Sequence, residues 1–224
     1  HGVGYVRIDC IDKEFNVQCM PNHGFCISHQ RFVPIDLVDV AGLVPGASEG
    51  KGLGNKFLDD LRQADAFIHI VDSSGTTNAE GKMLSNGEYN PVDDVIFLED
   101  ELNKWYFNLL LKAWKSFSRK TELEDTDFSK SVAKQFSGLK VDEEQVKRVL
   151  GKINFSERPS SWNEKQLMEF AMRLRNESKP TIIAANKIDT ERGKENYEKI
   201  KKRFPDAKII PCSADFELAL REAA

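Results

Sequence analysis

The sequence has little excess charge of either sign, few cysteines and no long hydrophobic run. Its 32 Lys and Arg residues against 36 Asp and Glu residues leave a formal net charge of -4. No overall basic field therefore predicts nucleic-acid binding, and we expect no sequence-specific DNA binding. No apolar run approaches the length that spans a bilayer, which predicts no membrane partner. Four cysteines, unevenly placed along 224 residues, are too few for a disulfide scaffold and favour a reducing cytoplasm.

What the sequence does contain is the pattern of a folded α/β domain. Short apolar runs bounded by turn residues predict strands, and helical patterns lie between most of them, including residues 54–64 and 194–204. Strands that alternate with helices predict a mostly parallel sheet with flanking helices, whose ligands bind at the carboxyl ends of the strands. The five predicted strands cover residues 3–10, 32–40, 66–71, 181–185 and 207–211.

The stretch between the third and fourth predicted strands has the periodicity of helices. Pro91 suits the first turn of a helix. Apolar residues then recur at spacings of three and four from Val95 to Phe117, which predicts a long amphipathic helix. Ser161 with Glu164 predicts a capping box at the start of the second of two shorter helices. These shorter helices are predicted over residues 142–152 and 163–176.

This change of pattern divides the chain into three segments. Residues 1–75 and 180–224 carry the strands and are interpreted as two parts of one α/β domain. Residues 76–179 are interpreted as an α-helical insertion, whose aromatic residues are expected to pack helices together rather than bind a ligand. The chain starts at His1 inside a strand-like run and stops at Ala224 inside a helix-like run. We therefore expect a piece of a longer protein.

The first motif that carries chemistry is Asp39-Val40-Ala41-Gly42, at the end of the second predicted strand. A strand that ends in an aspartate can present its carboxylate to a Mg²⁺-bound water. The glycine lets a backbone N–H approach a γ-phosphate with no Cβ in the way. The same pattern is common turn chemistry, so alone it is a weak indication.

The second motif, Asn186-Lys187-Ile188-Asp189, follows the fourth predicted strand. An aspartate carboxylate accepts two hydrogen bonds from the N1–H and N2–H₂ edge of guanine, and adenine lacks that donor pair. The asparagine amide can bridge N7 and neighbouring loops, and the lysine stem can lie over the base. For a lone four-residue match, a polar loop with a helix cap would be the preferred explanation.

The third motif, Cys212-Ser213-Ala214, follows the last predicted strand. Small residues here let backbone N–H groups reach the carbonyl oxygen of guanine, although alone the motif means little. Each of the three motifs follows a predicted strand, and the three occur in the order of a Ras-like G domain. That shared context predicts a P-loop NTPase of the G-domain type, with a helical insertion.

A longer stretch makes the resemblance specific. Residues 39–58 read DVAGLVPGASEGKGLGNKFL, which resembles the signature of Obg-type GTPases. The continuation LDDLRQADAFIHIVDSSG, the long helical insertion and the later NKID resemble the YchF (Obg-like ATPase) subfamily, most closely its archaeal members. The resemblance covers essentially the whole chain. It implies a G domain interrupted by a helical domain, a C-terminal TGS domain that is absent here, and association with ribosomes.

One departure from the family is the missing phosphate loop. No Gly-x-x-x-x-Gly-Lys-Ser/Thr segment occurs in the sequence, and Gly50-Lys51-Gly52 lacks the hydroxyl residue that would bind Mg²⁺. In the family, this loop and the switch I threonine precede the strand that matches residues 3–10. We therefore expect them upstream of His1, and we expect the chain as given to bind nucleotide poorly and to be inactive alone.

A second departure, from Ras-like proteins, is Leu43. Ras-like enzymes carry a glutamine at this position that orients the attacking water. Leucine has no hydrogen-bonding group, so hydrolysis should be slow or depend on other groups; a hydrophobic residue here is also the habit of the YchF subfamily. These features predict a cytoplasmic protein that binds GTP and slowly hydrolyses it with Mg²⁺ as a switch, and the resemblance to the YchF subfamily implies that this switch is ribosome-associated.

Two alternatives stay open. The first is ATP hydrolysis, because YchF members that lack the lysine and aspartate of the second motif prefer ATP. This chain keeps Lys187 and Asp189, which favours guanine. The second is a ribosome- or RNA-associated binding module with incidental nucleotide turnover, which would use basic residues of the insertion such as Arg119, Lys120 and Lys147. Solvated helix faces explain these charges as easily, and we prefer that explanation.

The segment after the first predicted strand holds cysteines and histidines that could assemble a tetrahedral zinc site. Their spacings are not those of a standard zinc finger. Neutral loop histidines and small buried cysteines explain the same residues, and we prefer that explanation to zinc. The candidate ligands are Cys10, Cys19, His23, Cys26 and His29.

Overall fold

A computed structural model describes residues 2–17, 19–40, 61–78, 81–84, 89–156 and 158–223. The chain forms two compact units, His1–Gly42 and Leu43–Ala224, which we call unit 1 and unit 2. Unit 1 contains a β-sheet, and unit 2 contains a second sheet with six described α-helices. Within the described ranges, no helix is both long and apolar enough to cross a membrane. The predicted α/β class is confirmed.

Unit 1 is built on a three-stranded antiparallel sheet with the order β1-β3-β2. Along β1 and β3, Gly2 lies opposite Leu37 and Asp9 lies opposite Gln30. The short β2 was not predicted, because three residues in a turn-rich segment carry too little periodicity to indicate a strand. The three strands are β1 (Gly2–Asp9), β2 (Phe25–Ile27) and β3 (Gln30–Leu37).

The sheet of unit 2 is parallel throughout, with the order β4-β5-β6. The described strands thus form one parallel and one antiparallel sheet of three strands each, whereas we predicted a mostly parallel sheet. A small core between this sheet and its neighbouring helices contains Val71, Val95, Ile183 and Ile200. The strands are β4 (Phe67–Asp72), β5 (Thr181–Asn186) and β6 (Lys208–Pro211).

Helices cover most of the segment between β4 and β5. The long amphipathic helix predicted from Pro91 onward is present as α1, and its apolar side packs into a core with Trp105, Trp114, Phe170 and Leu174. The eight-residue α2 was not predicted, because only Ser129 and Val132 of its residues are buried. The four helices are α1 (Pro91–Leu123), α2 (Phe128–Gln135), α3 (Glu143–Leu150) and α4 (Glu164–Ser178).

The predicted capping box at the start of α4 is wrong by two residues. Asn163 caps the helix: its side chain accepts from Gln166 N at 2.9 Å, and Gln166 Oε1 accepts from Asn163 N at 3.0 Å. The hydroxyl of Ser161 instead donates to Arg158 O at 2.7 Å, in a 3₁₀ turn before the helix. Ser161 is therefore two residues too early to reach the free N–H groups of α4.

Two further helices flank the parallel sheet. The helix predicted over residues 194–204 is present as α5 (Glu191–Arg203), between β5 and β6. It is followed after β6 by α6 (Ala214–Glu222). Of the helix predicted over residues 54–64, only 61–63 are described as helical, and residues 54–60 lie outside the described ranges.

Two buried cationic side chains connect the helices to the sheet. Arg175 on α4 has no exposed side-chain area; it pairs with Glu99 on α1 and donates to Asn103 Oδ1 at 3.1 Å and to Thr181 Oγ1 at 3.3 Å. Lys179, also fully buried, donates to the carbonyl oxygens of Arg62 at 2.9 Å and of Ala64 at 2.7 Å. Burial lowers the pKa of Lys179 to about 8. Both cations thus satisfy groups from elements distant in sequence.

Replacing Arg175 by methionine should destabilise unit 2 by about 3 kcal/mol, since Glu99, Asn103 and Thr181 then lose a shared buried donor. Urea unfolding followed by far-ultraviolet circular dichroism measures this loss. Arg173→Met is the matched control, because Arg173 is exposed and its ion pair, with Glu169 at 2.9 Å, lies on the same helix; it should cost less than about 1 kcal/mol. An equal loss of unfolding free energy in both variants would show that the buried contacts of Arg175 do not stabilise unit 2.

Candidate functional site

Two of the predicted motifs meet at the carboxyl end of the parallel sheet. Asn186 ends β5, and its side-chain Oδ1 accepts a hydrogen bond from Ala214 N at 3.0 Å. In addition, Ile188 N donates to Cys212 O at 3.3 Å. The parallel pairing of β5 with β6 brings the two loops together, because both strands end at the same edge of the sheet.

The lysine of the second motif occupies a strained backbone position. Lys187 has a φ of 62°, in the left-handed region that few non-glycine residues adopt. Its Nζ forms an ion pair with Asp72 Oδ2 at 2.9 Å, and the lysine side chain keeps 39% of its surface exposed. The ion pair holds the ammonium group while the stem remains accessible.

Asp72, at the end of β4, is a site residue that the sequence analysis missed. Its carboxylate also accepts hydrogen bonds from the hydroxyls of Ser74 at 2.6 Å and Thr77 at 2.8 Å. Burial alone would raise the pKa of Asp72, but the hydrogen bonds from Ser74, Lys187 and Thr77 outweigh it and lower the pKa to about 2. An acidic residue that ends a strand beside β5 was the signal that could have identified it.

The start of α5 is packed closely against the loop of the second motif. Thr190 caps the helix, since its hydroxyl oxygen accepts from Gly193 N at 3.0 Å and donates to Lys187 O at 3.0 Å. A Cβ on Gly193 would lie 2.1 Å from Lys187 O and 3.0 Å from Ile188 Cα. Glycine at this position therefore lets the helix approach the backbone of the motif.

The remaining candidate residues of this edge differ in exposure. The Asp189 side chain is exposed, whereas Ser213 is half-buried, and its hydroxyl has no hydrogen-bond partner among the described residues. The N–H of Ala214, which was expected to face a base, is engaged by Asn186. Within the described residues, this edge of the sheet therefore presents the exposed carboxylate of Asp189, the unpaired hydroxyl of Ser213 and the ion-paired ammonium group of Lys187.

The first motif belongs to unit 1. Asp39 is exposed and follows β3, two residues beyond its end. Gly42 and Leu43 lie outside the described residues. Gly42 was expected to approach a γ-phosphate, and Leu43 was expected to stand in place of the water-orienting glutamine.

The cysteines of unit 1 come together, whereas the histidines do not join them. The sulfurs of Cys10, Cys19 and Cys26 all lie within 4.8 Å of one another, and among the described residues neither His23 nor His29 belongs to this group. The hydrogen bond with Cys10, together with burial, raises the pKa of Cys19 to about 12. The predicted five-residue set is therefore reduced to three sulfurs.

Known proteins resemble this chain over the segments that contain the motifs. Residues 184–224, which contain the second and third motifs, match a sequence-family model described as the G4 motif-containing domain of Obg-like GTPases of the YGR210-like type. Residues 17–101 match the model of 50S ribosome-binding GTPases. A solved structure of a GTP-binding protein from Pyrococcus horikoshii OT3 superposes with a TM-score of 0.77 and 34% identity, covering 100% of this chain and 60% of the other. The chain belongs to the Obg-like GTPase family.

Curated relatives of this Obg-like chain carry two kinds of name. An uncharacterized GTP-binding protein of Methanocaldococcus jannaschii, MJ1332, is 46% identical over 99% of this chain and 55% of its own length. The ribosome-binding ATPase YchF of Bacillus subtilis is 30% identical over 88% of this chain and 52% of its own length. The chain thus spans about half the length of the curated relatives it matches.

Gly193→Ala should destabilise this Obg-like chain by about 2 kcal/mol, because the added methyl group collides with backbone atoms of the Lys187 loop. Without that collision, alanine would be the better helix former. Gly138→Ala is the control, since a Cβ there meets nothing within 4 Å. Urea unfolding measures both variants, and a Gly193→Ala protein as stable as the Gly138→Ala protein would disprove the close approach.

Asp72→Asn should reduce the acid sensitivity of the fold. The pKa of Asp72 is lowered from 3.8 to about 2, so its carboxylate stabilises the native state fully above about pH 4 and loses that effect as the pH falls toward about 2. The variant should lack this contribution, roughly 2 kcal/mol, and should lose less stability between about pH 6 and about pH 3. Urea unfolding across this range tests it, with the exposed Asp206→Asn as control. Equal pH slopes for the two variants would contradict the assignment.

Proposed function

We propose that this chain supplies the base-recognition part of a G domain that binds GTP and hydrolyses it slowly with Mg²⁺. The observation that carries the proposal is the hydrogen bond of 3.0 Å between Asn186 Oδ1 and Ala214 N, because it joins the two loops that would read a guanine. In this proposal, residues 1–75 and 180–224 form the G domain, and residues 76–179 are its helical insertion.

Each polar group at this edge of the sheet has a chemical role toward guanine. The exposed carboxylate of Asp189 accepts from N1–H and N2–H₂ of the base, which adenine does not offer. The stem of Lys187 covers one face of the base while Asp72 holds its ammonium group. Ala214 N–H and the neighbouring N–H groups at the start of α6 are donors for the base carbonyl oxygen, which would share the Ala214 donor with Asn186.

The phosphate end of the reaction is assigned to the first motif. Asp39 would hold Mg²⁺ through a water molecule, and Gly42 would offer its backbone N–H to the γ-phosphate. Leu43 cannot orient a water by hydrogen bonding, which is why we propose slow hydrolysis. The relatives are about twice as long as this chain, so the activity is assigned to a protein of their full length.

Guanine is favoured over adenine for this chain. The B. subtilis relative is named an ATPase, which keeps ATP as the alternative substrate. However, Asn186, Lys187 and Asp189 are all present here, and an aspartate carboxylate would find no pair of donors on the edge of adenine.

A ribosomal partner is proposed from the descriptions of the matched family and of the YchF relative. The basic residues of the insertion contribute little to that proposal. Lys147 pairs with Glu143 at 2.7 Å, and Lys120 pairs with Glu124 at 3.8 Å, so their charges are partly neutralised. We place the protein in the cytoplasm, and its four unpaired cysteines fit a reducing compartment.

Asp189→Asn in the full-length protein tests the base assignment. The variant should bind GDP about 100-fold more weakly, since two charge-assisted hydrogen bonds are lost. It should gain affinity for XDP, because xanthine carries a carbonyl oxygen in place of the guanine amino group and the asparagine amide can donate to it. Competition of unlabelled GDP, XDP and ADP against a fluorescent GDP analogue measures all three affinities.

Glu191→Gln is the matched control, because it removes an exposed carboxylate two residues further along, in the first turn of α5. It should leave the order of the three affinities unchanged. Unaltered guanine preference in Asp189→Asn would show that the base-reading assignment is wrong. Stronger ADP than GDP binding by the unmodified protein would favour the ATPase alternative, and absence of all nucleotide binding would favour the binding module.

A further inference from the structure

The three cysteines of unit 1 are arranged as a set of metal ligands. We propose that Cys10, Cys19 and Cys26 bind a Zn²⁺ ion that holds the loop between β1 and β2 against the sheet. Their sulfurs all lie within 4.8 Å of one another. In a tetrahedral zinc site with Zn–S bonds of about 2.3 Å, the sulfurs are about 3.8 Å apart. A contraction of about 1 Å or less therefore suffices to form the site.

The three sulfurs come from positions that the fold has already brought close. Cys10 directly follows β1, and its N–H donates to His29 O at 3.1 Å in the turn between β2 and β3. Cys26 is the central residue of β2 and is paired with Arg31 of β3. Only Cys19 lies in the connecting loop. Two of the ligands are thus placed by the sheet, and the ion would fix the third.

The backbone of the connecting loop is shaped to return to the sheet just before Cys26. Gly24 has a φ of 73°, and a Cβ there would lie 1.9 Å from Phe32 O. Only glycine permits this close approach of the loop to β3. The chain between Cys19 and Cys26 therefore turns back tightly enough for both sulfurs to face Cys10.

Unit 1 has little hydrophobic core of its own, which gives the ion a structural role. Cys10, with 4% of its surface exposed, is the only buried hydrophobic residue among the described residues of this unit. Small domains with too little core are commonly stabilised by a metal or by disulfides. Large apolar side chains of this unit that are exposed within the chain include Val3, Tyr5, Ile8, Phe15 and Ile27.

The ligand type selects the metal. Three thiolates favour a soft or borderline ion such as Zn²⁺ over Mg²⁺ or Ca²⁺, which prefer oxygen ligands. The three cysteines are free thiols in this structure, and a disulfide between any two of them would leave the third unpaired. A water molecule would complete the tetrahedral coordination as the fourth ligand.

Zinc content of the purified full chain tests the proposal. After expression in zinc-supplemented medium and gel filtration, elemental analysis should find close to one zinc per chain. Cys19→Ser and Cys26→Ser should each lower the zinc content at least several-fold, whereas Cys212→Ser in unit 2 should leave it unchanged. Co²⁺ substitution should produce the thiolate-to-cobalt charge-transfer absorption, weakened in the same two variants.

Three results would contradict the zinc site. Zinc far below one equivalent in a folded, fully reduced chain would overturn the proposal. So would zinc content that is insensitive to Cys26→Ser, or a disulfide between two of the three cysteines in mass spectra of the unreduced protein.

Discussion

The parallel register of β4, β5 and β6 is the constraint on which the candidate site depends. Asp72 lies level with Asn186 in that register, and Pro211 lies level with Ala185. All three strands therefore end at one edge, and the loops that follow them share hydrogen bonds there. Without this register, the half-buried carboxylate of Asp72 would not lie within reach of Lys187, whose backbone adopts the left-handed conformation.

The charged side chains at this edge of the sheet differ in how tightly their neighbours hold them. The ion pair with Asp72 engages the ammonium of Lys187 and leaves its stem accessible, while Asp189 remains exposed in the same loop. Hydrogen bonds from hydroxyl groups surround the Asp72 carboxylate and keep it ionised. In the proposed function, the free carboxylate of Asp189 accepts hydrogen bonds from the donors of a guanine base.

The helices beside the sheet are fastened to it by buried cations as well as by apolar packing. Arg175 joins α4 to α1 and to the first residue of β5, and Lys179 satisfies two carbonyl groups at the end of the segment that precedes β4. Neither role could be read from the sequence, in which both residues stand among the ordinary charges of a helix end. Burial, which only the packing defines, makes them different from Arg173 on the same helix.

The sequence by itself determined the α/β class, the long helix and the three motifs, because periodicity and residue type are local properties. It also contained the family's signature, since that signature is a continuous run of residues. Only the tertiary structure decided which groups meet. Lys187 and Asp72 form an ion pair although they are 115 residues apart in sequence. The three cysteine sulfurs come together, but the histidines that lie near them in sequence do not join the group. Strand order places β4 beside β5 and so brings Asp72 to Lys187, and strand order depends on the packing of the whole chain rather than on any local pattern.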